Sequence, residues 1–182
     1  MRDLWVFGYG SLMWRPGFDF EESYIGTLEG YHRALCVYSH VYRGSPENPG
    51  LVMGLSEGGS CQGMVFRVDG SQREAVIDYL RAREQVTSVY LEEFVPVEIA
   101  SVTVGGAPRK VEAVTYVADT THGQYAGKLD LEEQVKIVLK SQGEAGPNID
   151  YVLNTVDHLK EINIEDEALY ELADALRLKA KP

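Results

Sequence analysis

The stretch Leu4-Trp5-Val6-Phe7-Gly8-Tyr9-Gly10-Ser11-Leu12 governs the reading of the whole chain. Its first half is a continuous apolar and aromatic run, the composition of a strand buried on both faces. Gly8 and Gly10 then bracket a tight turn, where backbone N–H groups can converge on one point as in an anion-binding nest. The same pattern is also an ordinary structural turn. A dinucleotide fingerprint would need a third glycine three residues after Gly10, where Met13 stands, and Trp14-Arg15-Pro16-Gly17 interrupts any helix there.

Outward from this turn, Leu35–Ser39, Leu51–Leu55 and Gly63–Val68 read as three further strands. They are separated by Gly44-Ser45-Pro46-Glu47-Asn48-Pro49-Gly50 and by Gly58-Gly59. Phe94–Val104 and Val111–Ala118 predict a hairpin about Gly105-Gly106, with Pro96 marking a sheet edge. Ser71-Gln72-Arg73-Glu74 has the pattern of a capping box and opens a helix ending near Glu84, with Ala75, Val76, Tyr79 and Leu80 inward. Three more helices fill the last third. Asp130 and Glu133 cap the first, which turns Leu131, Val135, Val138 and Leu139 inward. Pro147 precedes the second, with Ile149, Val152, Leu153, Val156 and Leu159 at helical spacing, and Leu169, Leu172, Ala173 and Leu176 stripe the third. Strands first and helices after predict an α+β fold with a small mixed or barrel-like sheet, packed helices and a helical C-terminal third. With 182 residues, no linker and no repeat, 1–182 is expected to form a single domain.

The formal charge of −11, from 28 acidic and 17 basic residues, argues against nucleic acid and anionic membranes as partners. A small anionic metabolite gathered by a few arginines is compatible with it. No run approaches the roughly 20 apolar residues of a membrane-spanning helix. The apolar stretch near Met1 is too short for a signal peptide, so the cytoplasm is the expected compartment. Cys36 and Cys61 sit in strand-like segments and read as buried thiols.

Three places carry candidate chemistry. The first is the Gly8–Ser11 turn. The second is Arg83-Glu84, followed by Tyr90: a glutamate at a helix end is ordinarily a solvated surface residue, but the partial negative charge there, together with burial, raises a carboxyl pKa toward the range useful for proton transfer. Arg83 opposes that shift if it folds onto the same site. The third is His40–Gly50, either a surface loop of turn formers or a lid that places Arg43 near substrate carboxylates. His32, His40, His122 and His158 lack ligand spacing, and neither metal nor cofactor is expected. No Gly-x-Ser-x-Gly elbow occurs, although Ser11 acting with a distant histidine is a further reading.

Taken in order, several motifs resemble the ChaC-like γ-glutamylcyclotransferases over nearly the whole chain. They are Val6–Leu12, Arg43-Gly44 with Pro49-Gly50, Gly58-Gly59, Cys61-x-Gly63, Arg83-Glu84 with Tyr90, Tyr125 with Gly127, and Gly146-x-Asn148 with Tyr151-Val152. The resemblance implies a small closed sheet with helices packed on it and an enzyme that cleaves glutathione, a small-molecule substrate, to 5-oxoproline and Cys-Gly. It also implies that the backbone of Val6, Phe7, Gly8, Tyr9, Gly10 and Ser11 holds the γ-glutamyl group. Glu84 corresponds to the catalytic base, and Tyr125 to a substrate-contacting tyrosine. One departure is local: some eukaryotic members carry glycines just after the Arg-Glu pair, where this chain has Val86-Thr87-Ser88-Val89 and a longer step to Tyr90. Two other activities suit the scaffold: cyclisation of other γ-glutamyl amines or dipeptides, and binding of a γ-glutamyl group without turnover.

Overall fold

A computed structural model describes residues 2–85, 88–100 and 107–180. Its elements are β1 (Leu4–Gly8), β2 (Glu22–Ser39), β3 (Gly50–Val68), α1 (Arg73–Glu84), β4 (Tyr90–Ile99), β5 (Arg109–Ala118), α2 (Leu131–Lys140), β6 (Gln142–Gly143), β7 (Gly146–Pro147), α3 (Asn148–Glu161) and α4 (Glu167–Lys179). Strands β1–β5 close into a barrel in the order β1-β3-β2-β4-β5, so the α+β, barrel-like expectation holds. By their contacts the residues fall into two compact units, Met1–Arg33 with Leu55–Asp119 and Ala34–Gly54 with Thr120–Pro182.

In the first unit every residue of β1 is buried. It runs antiparallel to β3, from Leu4 opposite Val68 to Gly8 opposite Met64, and parallel to β5 at Trp5–Ala113 and Val6–Val114. A strand paired on both sides and covered on both faces needs the unbroken apolar run seen in the sequence. Leu4, Val6, Leu12, Phe66, Val68, Val114 and Tyr116 form a cluster that α1 completes with Val76 and Leu80. Close approach sets the mouth of β1. A Cβ on Gly63 would collide with the Gly8 carbonyl oxygen and the Phe7 ring, which accounts for glycine two residues after Cys61.

Several sequence expectations are corrected. Leu51–Leu55 and Gly63–Val68 are parts of one strand, because Gly58 and Gly59, at φ +92° and +70°, bend β3 without ending it. Leu35–Ser39 is the end of β2, whose first half is polar and half-exposed and so carries no apolar alternation to reveal it. Pro96 does not lie on an edge: β4 sits between β2 and β5. Its pairing with β2 covers only Val97–Ile99, so the missing proline donor falls just outside that ladder. The Ser71–Glu74 box does not form. Asp69 instead accepts from the Ser71 backbone N–H (2.9 Å) and caps a 3-10 turn leading into α1, which exposes Ala75. β4 and β5 pair as expected, from Tyr90–Ala118 to Ile99–Arg109. The Gly105-Gly106 turn lies outside the described residues.

In the second unit, α2, α3 and α4 pack on one another and bury Val135, Val138, Val152, Val156, Leu159, Leu169, Leu172, Ala173 and Leu176, while Leu139 is exposed. The Asp130–Glu133 capping box is present. Several motif residues have structural duties here. Asn148 is fully buried; its Nδ2 donates to the Leu51 carbonyl (2.8 Å) and its Oδ1 accepts from the Leu51 N–H (2.7 Å), a side chain acting as a neighbouring strand. The Met53 N–H donates to the Tyr151 hydroxyl (3.0 Å). Gly44 and Gly50 let the 39–50 loop fold on itself, since a Cβ on Gly44 would collide with the Gly50 nitrogen and one on Gly50 with the Arg43 carbonyl.

Asn148→Ala is expected to cost at least about 2 kcal/mol, because a buried donor and a buried acceptor each lose their partner at about 1–3 kcal/mol. The shift in urea midpoint measures it.

Candidate active site

At the end of β1 the backbone is steered by its carbonyls. The Phe7 carbonyl accepts from Thr115 Oγ1 (3.0 Å), and the Tyr9 carbonyl accepts from Arg33 Nε (2.6 Å). Gly10 O accepts from the Met13 N–H (3.0 Å) and Ser11 O from the Arg15 N–H (2.8 Å), closing a 3-10 turn over Ser11–Met13. Tyr9 is held a second time by its phenol, which donates to the Tyr116 carbonyl (2.7 Å). Arg33 is only 6% exposed, and its fork also reaches the Gln62 carbonyl, so a buried cation ties the turn to β3. A Cβ on Gly8 would stand 2.9 Å from the Leu12 Cβ, and this crowding is met by glycine. Val6 and Phe7 are buried, with Val6 lying between Phe66 and Val114.

Glu84 is the last residue of α1. Its side chain keeps about a fifth of its surface, 20%. Burial pushes its carboxyl above the ordinary carboxylate range, and Arg83, with Nε 3.3 Å from Glu84 Oε1, offsets only part of that. Arg83 therefore does fold onto the site, and burial still prevails. The same guanidinium donates from Nη2 to Ser11 Oγ (2.7 Å) and from Nη1 to the Arg15 carbonyl (2.7 Å), the Pro16 carbonyl (3.3 Å) and the Tyr79 hydroxyl (3.0 Å). It thus joins the turn and the Glu84 helix end in one network. Ser11 Oγ faces a guanidinium, which has no acceptor for a proton, so this contact does not activate it as a nucleophile.

A second carboxylate nearby is pulled the other way. Arg81 holds Glu92 with two parallel bonds of 2.8 Å, from Nε and Nη2, and keeps its carboxyl below the usual range. Tyr116 donates to Glu92 (3.0 Å), and burial raises its phenol far above the usual value, an effect to which the Glu84 charge adds. The two carboxyls are thus displaced in opposite directions, Glu84 upward by burial and Glu92 downward by its ion pair. Sequence reading missed Arg33, Arg81, Glu92 and Tyr116. The i,i+2 repeat of arginine on α1 was a signal, but nothing in the sequence paired Arg81 with β4.

Tyr125 lies in the second unit, where it forms an isolated bridge with Val37, and its N–H donates to the His122 carbonyl (2.9 Å). Arg43, in the same unit, donates to the Pro147 carbonyl (3.2 Å) and packs over the Tyr151 ring, 5.4 Å from its centroid. It is engaged in bracing its own loop. Cys36 and Cys61 are buried thiols, joined in no disulfide. No helix among the described residues is long and apolar enough to cross a membrane.

The closed five-stranded barrel with its packed helices is a γ-glutamyl cyclotransferase fold. A crystal structure of a γ-glutamyl cyclotransferase specific to glutathione from yeast superposes with a TM-score of 0.86 at 20% identity, covering 97% of this chain and 96% of that one. The chain belongs to the ChaC-like protein family, whose model matches residues 4–179. It is 31% identical to the glutathione-specific γ-glutamylcyclotransferase of Escherichia coli over 93% of this chain and 71% of that protein. It is 33% identical to glutathione-specific γ-glutamylcyclotransferase 1 of Danio rerio over 98% and 91% respectively.

The folded protein holds a proton on Glu84 more tightly than the unfolded chain, so stability falls as pH rises from the ordinary value of 4.5 through the raised one. Glu84→Gln is therefore expected to unfold at a higher temperature than the wild type at pH 7. The gain should vanish below pH 4.5, where both states of the wild type carry a neutral acid. Thermal scans at the two pH values check this.

Proposed function

We propose that this protein is a γ-glutamylcyclotransferase that cleaves glutathione to 5-oxoproline and Cys-Gly, with Glu84 as general acid/base. Family membership and the relatives' activity support the reaction. The observation that carries the site assignment is the raised carboxyl of Glu84, tied through Arg83 to the Gly8–Ser11 turn.

The reaction needs no external nucleophile. Ionised Glu84 takes a proton from the substrate α-ammonium, and the freed amine attacks the γ-carbonyl carbon to close a five-membered lactam. The bond to the cysteine nitrogen breaks as Glu84 returns its proton to that leaving amine, and the second proton of the attacking nitrogen is lost as the lactam forms, so that Cys-Gly ends as an ammonium. A base whose pKa sits above the ordinary carboxylate value suits both halves of this exchange near neutral pH. Holding the flexible γ-glutamyl chain folded supplies a large part of the acceleration, because attack within one bound molecule is already unimolecular. The carbonyls of Tyr9, Gly10 and Ser11 are committed to protein donors, so the turn offers an anionic substrate its amide side. Those amides meet the α-carboxylate or the developing oxyanion. Val6 and Phe7 serve as the scaffold of this cradle. The assignment of Tyr125 to substrate rests on the family resemblance. Residues 1–182 act as one such domain, in the cytoplasm, on a small molecule.

Glu84→Gln keeps shape and hydrogen bonding but cannot accept a proton. It should lower kcat at least about 100-fold. More than a tenth of the activity in this variant would remove Glu84 from the role of base. Reaction in heavy-oxygen water separates cyclisation from hydrolysis: both products should be unlabelled, the glutamyl product should be cyclic, and glutathione acylated on its α-amine should not react. Free glutamate as first product would overturn the mechanism.

A further inference from the structure

Arg83 follows the pattern of an exposed helix-end arginine, yet all three of its guanidinium nitrogens are engaged. Nη2 meets Ser11 Oγ, and Nη1 meets the Arg15 and Pro16 carbonyls and the Tyr79 hydroxyl. Nε faces Glu84. Neighbouring side chains on a helix normally diverge, so an ion pair between Arg83 and Glu84 at 3.3 Å requires the guanidinium to be turned deliberately toward both the carboxyl and the loop. The contacts come from residues on two separate segments, the 11–16 loop and α1.

We propose that Arg83 is a positioning residue that fastens the substrate-cradling turn and the catalytic carboxyl of Glu84 into one rigid assembly. The inference rests on the reading of Glu84 as base and of Gly8–Ser11 as cradle. Two properties of arginine are used separately. The planar fork spans Ser11, Arg15 and Pro16 at once, which the single ammonium of lysine does not reproduce. The positive charge opposes desolvation at Glu84, which would otherwise hold the acid neutral and unable to accept the ammonium proton. The titratable and charged groups about Glu84 are Arg83 on its own helix and Tyr116 on β5, whose phenol carries the Glu92–Arg81 pair. Tyr79 and the loop contribute a hydroxyl and carbonyls. Among these described groups Arg83 is the cation that touches the carboxyl.

Arg83→Lys and Arg83→Met separate the two roles. The measurements are kcat and KM for glutathione across pH, and titration of the Glu84 carboxyl by carbon NMR, assigned by its loss in Glu84→Gln. Arg83→Met should move both the carboxyl titration and the acid limb of kcat to higher pH and raise KM. Arg83→Lys should leave the titration near that of the wild type yet lower kcat/KM about tenfold, the scale of a small misplacement of reacting groups. An unchanged Glu84 titration in folded Arg83→Met overturns the electrostatic role, and wild-type kcat/KM in Arg83→Lys overturns the positioning role. If Arg83→Met does not fold, the lysine variant decides the positioning role and Arg83→Gln, which keeps N–H donors but carries no charge, decides the electrostatic one: its Glu84 midpoint should rise, and an unchanged midpoint rejects that role. Full activity in Glu84→Gln would instead reject the base assignment, while the NMR titration would still report whether Arg83 controls the carboxyl.

Discussion

β1 is hydrogen-bonded to β3 on one side and β5 on the other, and its length is limited by what surrounds it. At Gly8 the backbone comes so close to Gly63 that no side chain fits there, and beyond it the ladder ends. The chain must turn, and the turn is held by its acceptors: Arg33 takes the Tyr9 carbonyl, and the 3-10 turn takes those of Gly10 and Ser11. A nearly buried guanidinium is costly unless its donors are matched, so Arg33 makes the geometry of this turn a condition of folding the barrel. The turn is therefore held by the requirements of folding alone.

The acid is treated in the opposite manner. Glu92, three residues into β4, receives a two-point clamp from Arg81 and stays ionised. Glu84, one helical turn from Arg81, is given a weaker single contact and a largely dry surrounding. What separates the two carboxyls is how their charge is met: Glu92 accepts from Arg81 twice and from Tyr116, whereas burial dominates at Glu84. Tyr116 donates to Glu92 and links it to Tyr9 through its own carbonyl.

Much of this was legible in the sequence, and the failures have physical causes. The continuous run of β1, the β4–β5 pairing, the α2 capping box and the α4 stripe are local patterns that tertiary context left intact. The first half of β2 was hidden because barrel closure, not an apolar face, keeps it extended. Gly58-Gly59 looks like a boundary in sequence, yet glycine at positive φ serves equally to bend a strand. Arg83-Glu84 was legible as a pair, and the direction of the Glu84 shift was foreseen, but the leading cause is burial, which only the surrounding elements reveal. Arg33 was invisible, since a lone arginine in a polar segment gives no sign that its partner lies at Tyr9. Arg43 sits in a loop whose sequence suits either a surface loop of turn formers or a lid, and its packing over Tyr151 is a contact that no local pattern announces.

The pairing of Trp5 with Ala113 has a temporal consequence. A nascent chain emerges from the ribosome in order, so β1 must wait for β5, the last strand of the barrel, before its second edge is covered. Bringing together segments so far apart is also entropically slow. The other unit waits longer still, because the Leu51 backbone is completed only by Asn148. During synthesis an apolar strand with an open edge is thus exposed for most of the time the chain takes to appear, the state in which aggregation competes with folding. Folding of this protein is committed late, by a barrel strand and a buried asparagine from the second half of the chain.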